Sequence, residues 1–579
     1  MSDSTTTPGT DGHSSIVLEQ VGRYESGQFN EDAAEIITHS ARTGHLYVVN
    51  ADVGGIDVLD VTSPDTPERV DRLILADVWD DAGEVTNIAL REDVPLERPE
   101  AATSAEDGGA TSVLAVATVA ATSQENGRVV FYDAAEHTPL TTVEVGAVPD
   151  MVTFAPDGET VLTADSGEPS EDYTTDPPGT VSLIDIGDGI ENATVESVDF
   201  TAYDGREDEL RERGVRVFGP DASASVDLEP EYLTVSADST TAYVVLQVNN
   251  AFAVVDIETA TVTDIHPFGY KDHDATGNEL DASDVDRLTV RNWPIYGMYQ
   301  PDAITSYEVD SEASGDASGS RTESGDDETY LVTANEGGMR DYEGFSEVTT
   351  VGELALDRDA FDLENVSGVE TIEDLQRPEN LGNLLTTTHL GDIDGDGRHE
   401  DIYAFGGRSF AIWRTDGTLV ADSGADFELL TAMHHPEYFN TDGLRNTPYS
   451  QSTVKGPEPE GVDVGRIGDC VYAFVGLERI ASLVVYDITE PTDPSFVQYI
   501  NNRNFEVDPL ADVEDGEADV SDAGDLGPEG VTFIPAADSP VDEPVVAVGN
   551  ELSGTTTLYR VRTLAETGSS TESEDEDRR

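Results

Sequence analysis

At 579 residues the chain is too long for one ordinary domain of ~100–200 residues, yet it suits a single large repeat architecture. It carries 120 Asp and Glu against 30 Lys and Arg, a formal charge of −90, and its only lysines are Lys271 and Lys455. That balance excludes a nucleic-acid phosphate binder and docking on anionic lipid, both of which need a basic face. No apolar run approaches the ~18 residues of a membrane-spanning helix. Acidic residues in such excess, with lysine nearly eliminated, suit a salt-rich solvent in which a Debye length of about 3 Å screens self-repulsion. A halophilic source is expected. Cys470 is the single cysteine, so there is no disulfide and no cysteine-based zinc site, and its apolar setting in Cys470–Phe474 reads as a buried, inert thiol.

In chain order, residues 1–15 read as a disordered acidic tail. Met1–Thr5 has neither the basic nor the apolar stretch of an export signal, nor twin arginines, which taken alone points to the cytoplasm. Ile16–Val21 is a strand. Thereafter one pattern of strand, turn, strand, loop, strand recurs to residue 562. A clear copy runs Pro230–Val235, the turn Ser236–Ser239, Ala242–Leu246 and Ala253–Ile257; another begins at Pro149–Phe154 and ends at Val181–Ile186. Short β-branched runs bounded by Asp-Gly, Pro-Asp and Ser-Ala-Asp turns are strands of antiparallel meanders. Copies open near Ala34, Thr86, Pro149, Pro230, Pro301, Thr387, Pro459 and Pro528. Helical periodicity is scarce, and the best candidate is the stretch around Asp374–Gln376. Polar insertions at 97–110, 308–328 and 508–524, and the tail 563–579, bury too little apolar surface to order.

The fold class is therefore all-β, a single β-propeller, since a closed ring leaves few exposed sheet edges. Eight blades fit the count of openings, and seven fit if the interrupted copies near Thr86 and Pro301 are not independent. The last copy has only three strands, and Ile16–Val21 supplies the fourth, so both ends of the chain close the ring.

Five stretches carry a family resemblance: Arg291–Pro294 with Gln300–Ala303; Thr333–Gly337 with Asp341–Phe345; His389–Asp392 with Phe405–Phe410; Lys455–Gly461; and Gly527–Gly530. Together they resemble the choice-of-anchor I domain proteins, related to mesenchyme-specific cell surface glycoproteins and to YVTN, LVIVD and WD40-like propellers. The resemblance covers roughly residues 16–562. It implies an extracytoplasmic setting, and some relatives are labelled alkaline phosphatase.

Two constellations can carry chemistry. In Asp392-Ile-Asp394-Gly-Asp396-Gly-Arg398-His-Glu400, carboxylates at positions 1, 3, 5 and 9, with the Arg398 carbonyl at 7 and a glycine at 6, can wrap one Ca²⁺. Position 12 is Tyr403 rather than a bidentate Glu, and strands flank the loop, so it looks like the calcium loop of integrin-type propellers; the ion is expected to be structural. Aligned openings also place Asp150, Glu231, Asp302, Glu460 and Glu529 at one equivalent position, while second strands end at Ser166, Asn249, Glu336, Glu478 and Glu551. First strands line a propeller's channel, so these form an acidic ring that either pins the blades or holds a second divalent metal. Arg340, Arg408, Lys455 and Arg479 are candidates for compensating that charge or meeting an anion. His434 and His435 read as a surface loop.

The expected function is a calcium-stabilised, non-catalytic binding module for a protein or glycan, acting as a monomer. The alternative is a metal-dependent phosphoesterase, alkaline-phosphatase- or phytase-like, with its metal on the channel ring.

Overall fold

The computed structural model describes residues 3–6, 15–95, 110–220, 222–285, 287–309, 328–364, 366–513 and 515–564. The insertions expected at 97–110 and 308–328 lie, apart from their flanks, outside the described residues, as does the tail beyond residue 564.

Turn chemistry and β-branched runs set the strands. In the Ser236–Ser239 turn, the Asp238 carboxylate accepts from the Ser236 hydroxyl (2.7 Å) and the Thr240 amide (3.1 Å), reversing the chain between Pro230–Val235 and Thr241–Leu246. Repeated along the chain, such reversals give seven four-stranded antiparallel meanders among the described residues. Their first strands are Ile37–Ser40, Ala82–Pro95, Pro149–Phe154, Pro230–Val235, Ala303–Val309, Pro459–Ile467 and Pro528–Ile534. Each neighbours the next, and the last returns to the first, so the sheets stand around a common channel. The core lies between sheets: Leu162 and Val181 of the third meander pack with Leu233 and Val244 of the fourth, all buried.

The seventh meander closes as the sequence predicts. Ile16–Glu25 pairs antiparallel with Thr555–Thr563, from Ile16↔Thr563 to Glu25↔Thr555. The buried Gln498 side chain of the neighbouring sheet grips this strand, accepting from the Leu18 amide at 2.8 Å and donating to the Leu18 carbonyl at 3.2 Å. Asp3–Thr6, within the expected tail, add a fifth strand beside Ser495–Asn501.

The copy placed near Thr387 is not a separate meander. Ser409–Arg414 pairs in unbroken register with Tyr330–Asn335, so it completes the sheet begun at Ala303, and Leu419–Asp422 forms its outer edge. Strand-like segments reveal period and turns but not partners, and residues 336–408 are an excursion between the second and third strands of one sheet. Within it Val348–Thr350, Leu385–Thr387 and Tyr403–Ala404 join Tyr270–Asp272 and Tyr296–Met298 in a small eighth sheet. This sheet has its own core, including Trp293, Leu354, Leu375 and Ile402. The helix expected near Asp374 is a single turn, Ile372–Leu375, capped by the Thr371 side chain.

Two further differences follow from tertiary packing. Residues 508–524 hold a π-turn at Pro509–Val513 and a 3₁₀ turn at Val520–Ala523, and Ala523 packs with Leu526, Leu552, Phe29 and Leu444. His434 ends the helix Asp426–His434 and stacks on Tyr499 at 4.7 Å, so this pair is not a free surface loop. Cys470 is buried and free, as expected.

Candidate functional site

A Pro–acid dipeptide at the start of a first strand builds the channel mouth. In the third, fourth, sixth and seventh meanders, pairing with the second strand is irregular just after Pro149, Pro230, Pro459 and Pro528. A bulge there takes Asp150, Glu231, Glu460 and Glu529 out of the ladder and re-aims their side chains. The preceding residue is strained too: Val148, Gln300 and Glu458 have φ of 50°, 42° and 49°, a left-handed conformation costing of order 1–3 kcal/mol each for such residues. Register puts Pro149 opposite Asp165, Pro459 opposite Leu477 and Pro528 opposite Asn550. The ends of the second strands, with Ser166, Glu478 and Glu551 next in sequence, therefore share this mouth.

Two carboxylates missed in the sequence complete the ring. Glu35 and Glu84 line the same channel, of about 550 Å³, as Asp150, Glu231, Asp302 and Glu529. With Glu460, which precedes the channel-lining Gly461, each meander has an acid at the opening of its first strand. Glu35 follows Ala34 and Glu84 follows Gly83, so the Pro–acid signature is absent; Glu84 does lie in a bulge of Ala82–Pro95.

The ring is short of positive charge. Asp150, Glu231, Glu460, Glu478 and Glu529 are pushed well above the carboxylate range, first by burial and then by neighbouring carboxylates: Glu168 beside Asp150, Asp150 beside Glu231, Glu478 beside Glu460 and Glu35 beside Glu529, while at Glu478 the nearby Arg479 opposes the shift without cancelling it. Burial, with Glu84, Asp32 and Glu551 nearby, raises Glu35 to about 9; burial and Glu529 raise Glu551 to about 8, and burial and Glu336 raise Asp302 to about 8. These acids are walled in by protein, and Glu35, Asp150, Glu231, Asp302 and Glu529 also face the small space of the channel. One oxygen each of Asp150, Glu460, Glu478 and Glu529 is buried without a hydrogen-bond partner.

A carboxyl whose pKa is raised on folding binds its proton more tightly in the folded chain. Its stabilising effect is full below the ordinary carboxylate range and is lost as pH rises toward the folded value. With divalent ions chelated and salt held constant, the melting temperature should therefore fall by several degrees between pH 5.5 and pH 9. A melting temperature that rises across this window in differential scanning calorimetry contradicts the ring's charge balance.

The four expected cations divide. Lys455 pairs with Glu336 and, at 2.9 Å, with Glu458; burial opposes its charge, but these two acids outweigh burial and raise its pKa. Arg479 reaches Glu458 at 3.0 Å and also pairs with Glu478. Both stand at the ring. Arg340 lies deeper, between Asp227 and Glu229 at 2.6 Å each, and its guanidinium covers the Phe218 ring. Arg408 is away from the ring acids: it binds Glu428 at 2.8 Å and the carbonyls of Asp281 and Ser452 at 2.9 Å, fastening the excursion to the propeller. Of the second-strand positions, Asn249 is structural, donating to the carbonyls of Arg216 and Asp227, and the Ser166 hydroxyl turns to the Val148 carbonyl. Glu458, which the sequence reading passed over as a residue before proline, bridges the two cations.

The loop Asp392–Glu400 lies on the excursion. Asp392, Asp394, Asp396 and Glu400 each offer an oxygen within 4.8 Å of the others. Asp392 accepts the amides of Gly395, Asp396 and Gly397 at 2.9–3.1 Å, and Asp396 accepts that of Arg398 at 2.9 Å. Gly395 and Gly397, at φ of 75° and 88°, permit the turn. An all-oxygen donor set with this spacing fits Ca²⁺.

Three of the stretches that carried the resemblance, around Glu336, Gly406 and Lys455, come together beside the mouth. Gly337 approaches Gly406 so closely that a Cβ on Gly337 would lie 2.5 Å from the Gly406 nitrogen, and Glu336, Arg340, Lys455 and Glu458 all border the mouth or its support. The sequence profile of the choice-of-anchor I domain matches residues 35–491. The chain belongs to the choice-of-anchor I domain family. Relatives of this choice-of-anchor I chain include Gigasin-3a of Magallana gigas, 29% identical over 200 residues, covering 33% of this chain and 69% of that protein. The mesenchyme-specific cell surface glycoprotein of Strongylocentrotus purpuratus is 26% identical over 291 residues, 45% of this chain but only 35% of that protein. Among solved structures, hydrazine synthase of Kuenenia stuttgartiensis aligns with 93% of this chain and 99% of its own at 12% identity and a TM-score of 0.42. Streptogramin B lyase aligns with 95% of this chain and 98% of its own at 9% identity and a TM-score of 0.39. No helix among the described residues is long and apolar enough to cross a membrane.

Proposed function

We propose that this choice-of-anchor I propeller is a non-catalytic interaction module for a protein or glycan, working outside the cytoplasm in salt-rich solvent and stiffened by Ca²⁺ at Asp392–Glu400. The observation that carries this reading is the convergence of the four loop carboxylates on one point, at the surface of an excursion that buried ion pairs hold rigidly on the propeller. Asp392, Asp394, Asp396 and Glu400 supply the oxygens, and the ion would fix the loop and its exposed Ile393 in one conformation for a partner. The named cell-surface relative supports the setting.

Calcium added to the chelated protein should raise the melting temperature by several degrees, and Asp394→Ala should abolish most of that response. An unchanged melting temperature in the parent protein removes the loop's role. A glycan array probed in high salt with Ca²⁺ and then with chelator tests the binding role directly.

The phosphoesterase reading has weaker support. Transition-state charge on a phosphoryl group needs positive groups free to meet it, whereas Lys455 and Arg479 are each held by two carboxylates. Phosphomonoester turnover in high salt with Ca²⁺ that disappears in Glu460→Gln overturns the interaction-module reading.

A further inference from the structure

We infer that the channel mouth is a specific site for one hard divalent cation, Ca²⁺ first among them, held by Glu336, Glu460 and Glu478. The site is separate from the Asp392–Glu400 loop and does not depend on it.

The three residues come from two meanders. Glu336 and Glu478 follow directly on the second strands of the fifth and sixth, Glu328–Asn335 and Cys470–Leu477, and Glu460 is the bulged acid of the sixth. Each offers a carboxylate oxygen, all within 4.8 Å of one another. Oxygens bound to one Ca²⁺ at about 2.3–2.6 Å lie at most ~5 Å apart, so the spacing is that of a shared ion.

A second observation is independent of the clustering. Glu478 is 3% exposed; its Oε1 meets Arg479, while its Oε2 is buried without a hydrogen-bond donor. The Oε2 of Glu460 is likewise unpartnered. Buried carboxylate oxygens are rarely left without a donor or a cation. The neighbouring cations do not meet the deficit: Lys455 is shared by Glu336 and Glu458, Arg479 by Glu458 and Glu478, and neither forms an ion pair with Glu460. Two positive charges thus serve four carboxylates, and one divalent ion restores neutrality. Glu460 is only partly buried and precedes Gly461, which lines the channel, so the triad borders the channel's space.

The test uses the full chain carrying Asp394→Ala and Asp396→Ala, so that loop binding is disabled, with Ca²⁺ alone as the probe in equilibrium dialysis at pH 7.5. About one Ca²⁺ per chain should remain bound. Adding Glu460→Gln should weaken binding roughly tenfold or more, since losing even a residue that only supports a ligand typically costs about 10–100-fold. Glu529→Gln, in the ring but outside the triad, should change affinity less than threefold. Because the Gln substitution removes a buried charge, the Glu460→Gln protein should melt at or above its parent in chelator, and Ca²⁺ should raise only the parent's melting temperature. No retained Ca²⁺, or equal weakening by Glu460→Gln and Glu529→Gln, overturns the site; the latter describes a diffuse acidic field. Loss of the loop response with retention of this ion, or the reverse, tells the two calcium sites apart.

Discussion

Removal of residues 1–25 is expected to abolish cooperative folding, although none of them belongs to a proposed site. Without Ile16–Glu25 the seventh meander keeps three strands, and the edge Thr555–Thr563 is left unpaired. Ile16 and Leu18 are 0% and 4% exposed and share a cluster with Tyr472, Val485, Tyr559 and Val561. Burying a large apolar side chain contributes about 1.5–3 kcal/mol, and the exposed partners add to that loss along with the ladder hydrogen bonds. Against a typical net stability of about 5–15 kcal/mol, the deficit is large, and an open apolar strand edge favours aggregation. Expression of the truncated chain should give insoluble or non-cooperatively melting protein, and a synthetic peptide of residues 15–26 added during refolding should recover soluble protein. A truncated chain with a sharp transition near that of the parent contradicts this account of ring closure.

The second large effect is expected from Arg340→Met. Arg340 is about as buried as any side chain in the protein, at 1% exposure, and it bonds Asp227 and Glu229 while stacking on Phe218. Removing one partner of a buried ion pair costs about 3–5 kcal/mol, because the remaining charge stays buried. Asp227 keeps the Phe218 amide at 2.9 Å, so the main penalty falls on Glu229, which burial raises to about 8 even with Arg340 present. Denaturant titration should show the loss, and Arg340→Met combined with Glu229→Gln should recover part of it. A single variant within ~1 kcal/mol of the parent would place the coupling elsewhere.

The carboxylate ring divides along the same physical line. Five acids were readable because a proline precedes each, and in four of them, all but Pro301–Asp302, the dipeptide marks both a strand start and a bulge. Glu35 and Glu84 have no such marker; only their place on the shared channel identifies them. The clustering of the acid loop was readable in full, since its four carboxylates lie within nine residues. The role of Arg408 was not, because its partner Glu428 lies on a helix placed by the packing of Phe427 and Leu430 with Phe410, Val484 and Tyr486, contacts between distant segments.

By itself the sequence determined the strand period, the turns, the clustering of carboxylates in the acidic loop and the closure by the Ile16–Glu25 strand, for these rest on local propensity and on complementary apolar strands. Only the tertiary structure decided that Ser409–Arg414 pairs with Tyr330–Asn335, and which carboxylates meet which cations. Pairing across an excursion of some seventy residues and the charge balance of a buried ring depend on distances between segments far apart in the chain, and no local pattern encodes those.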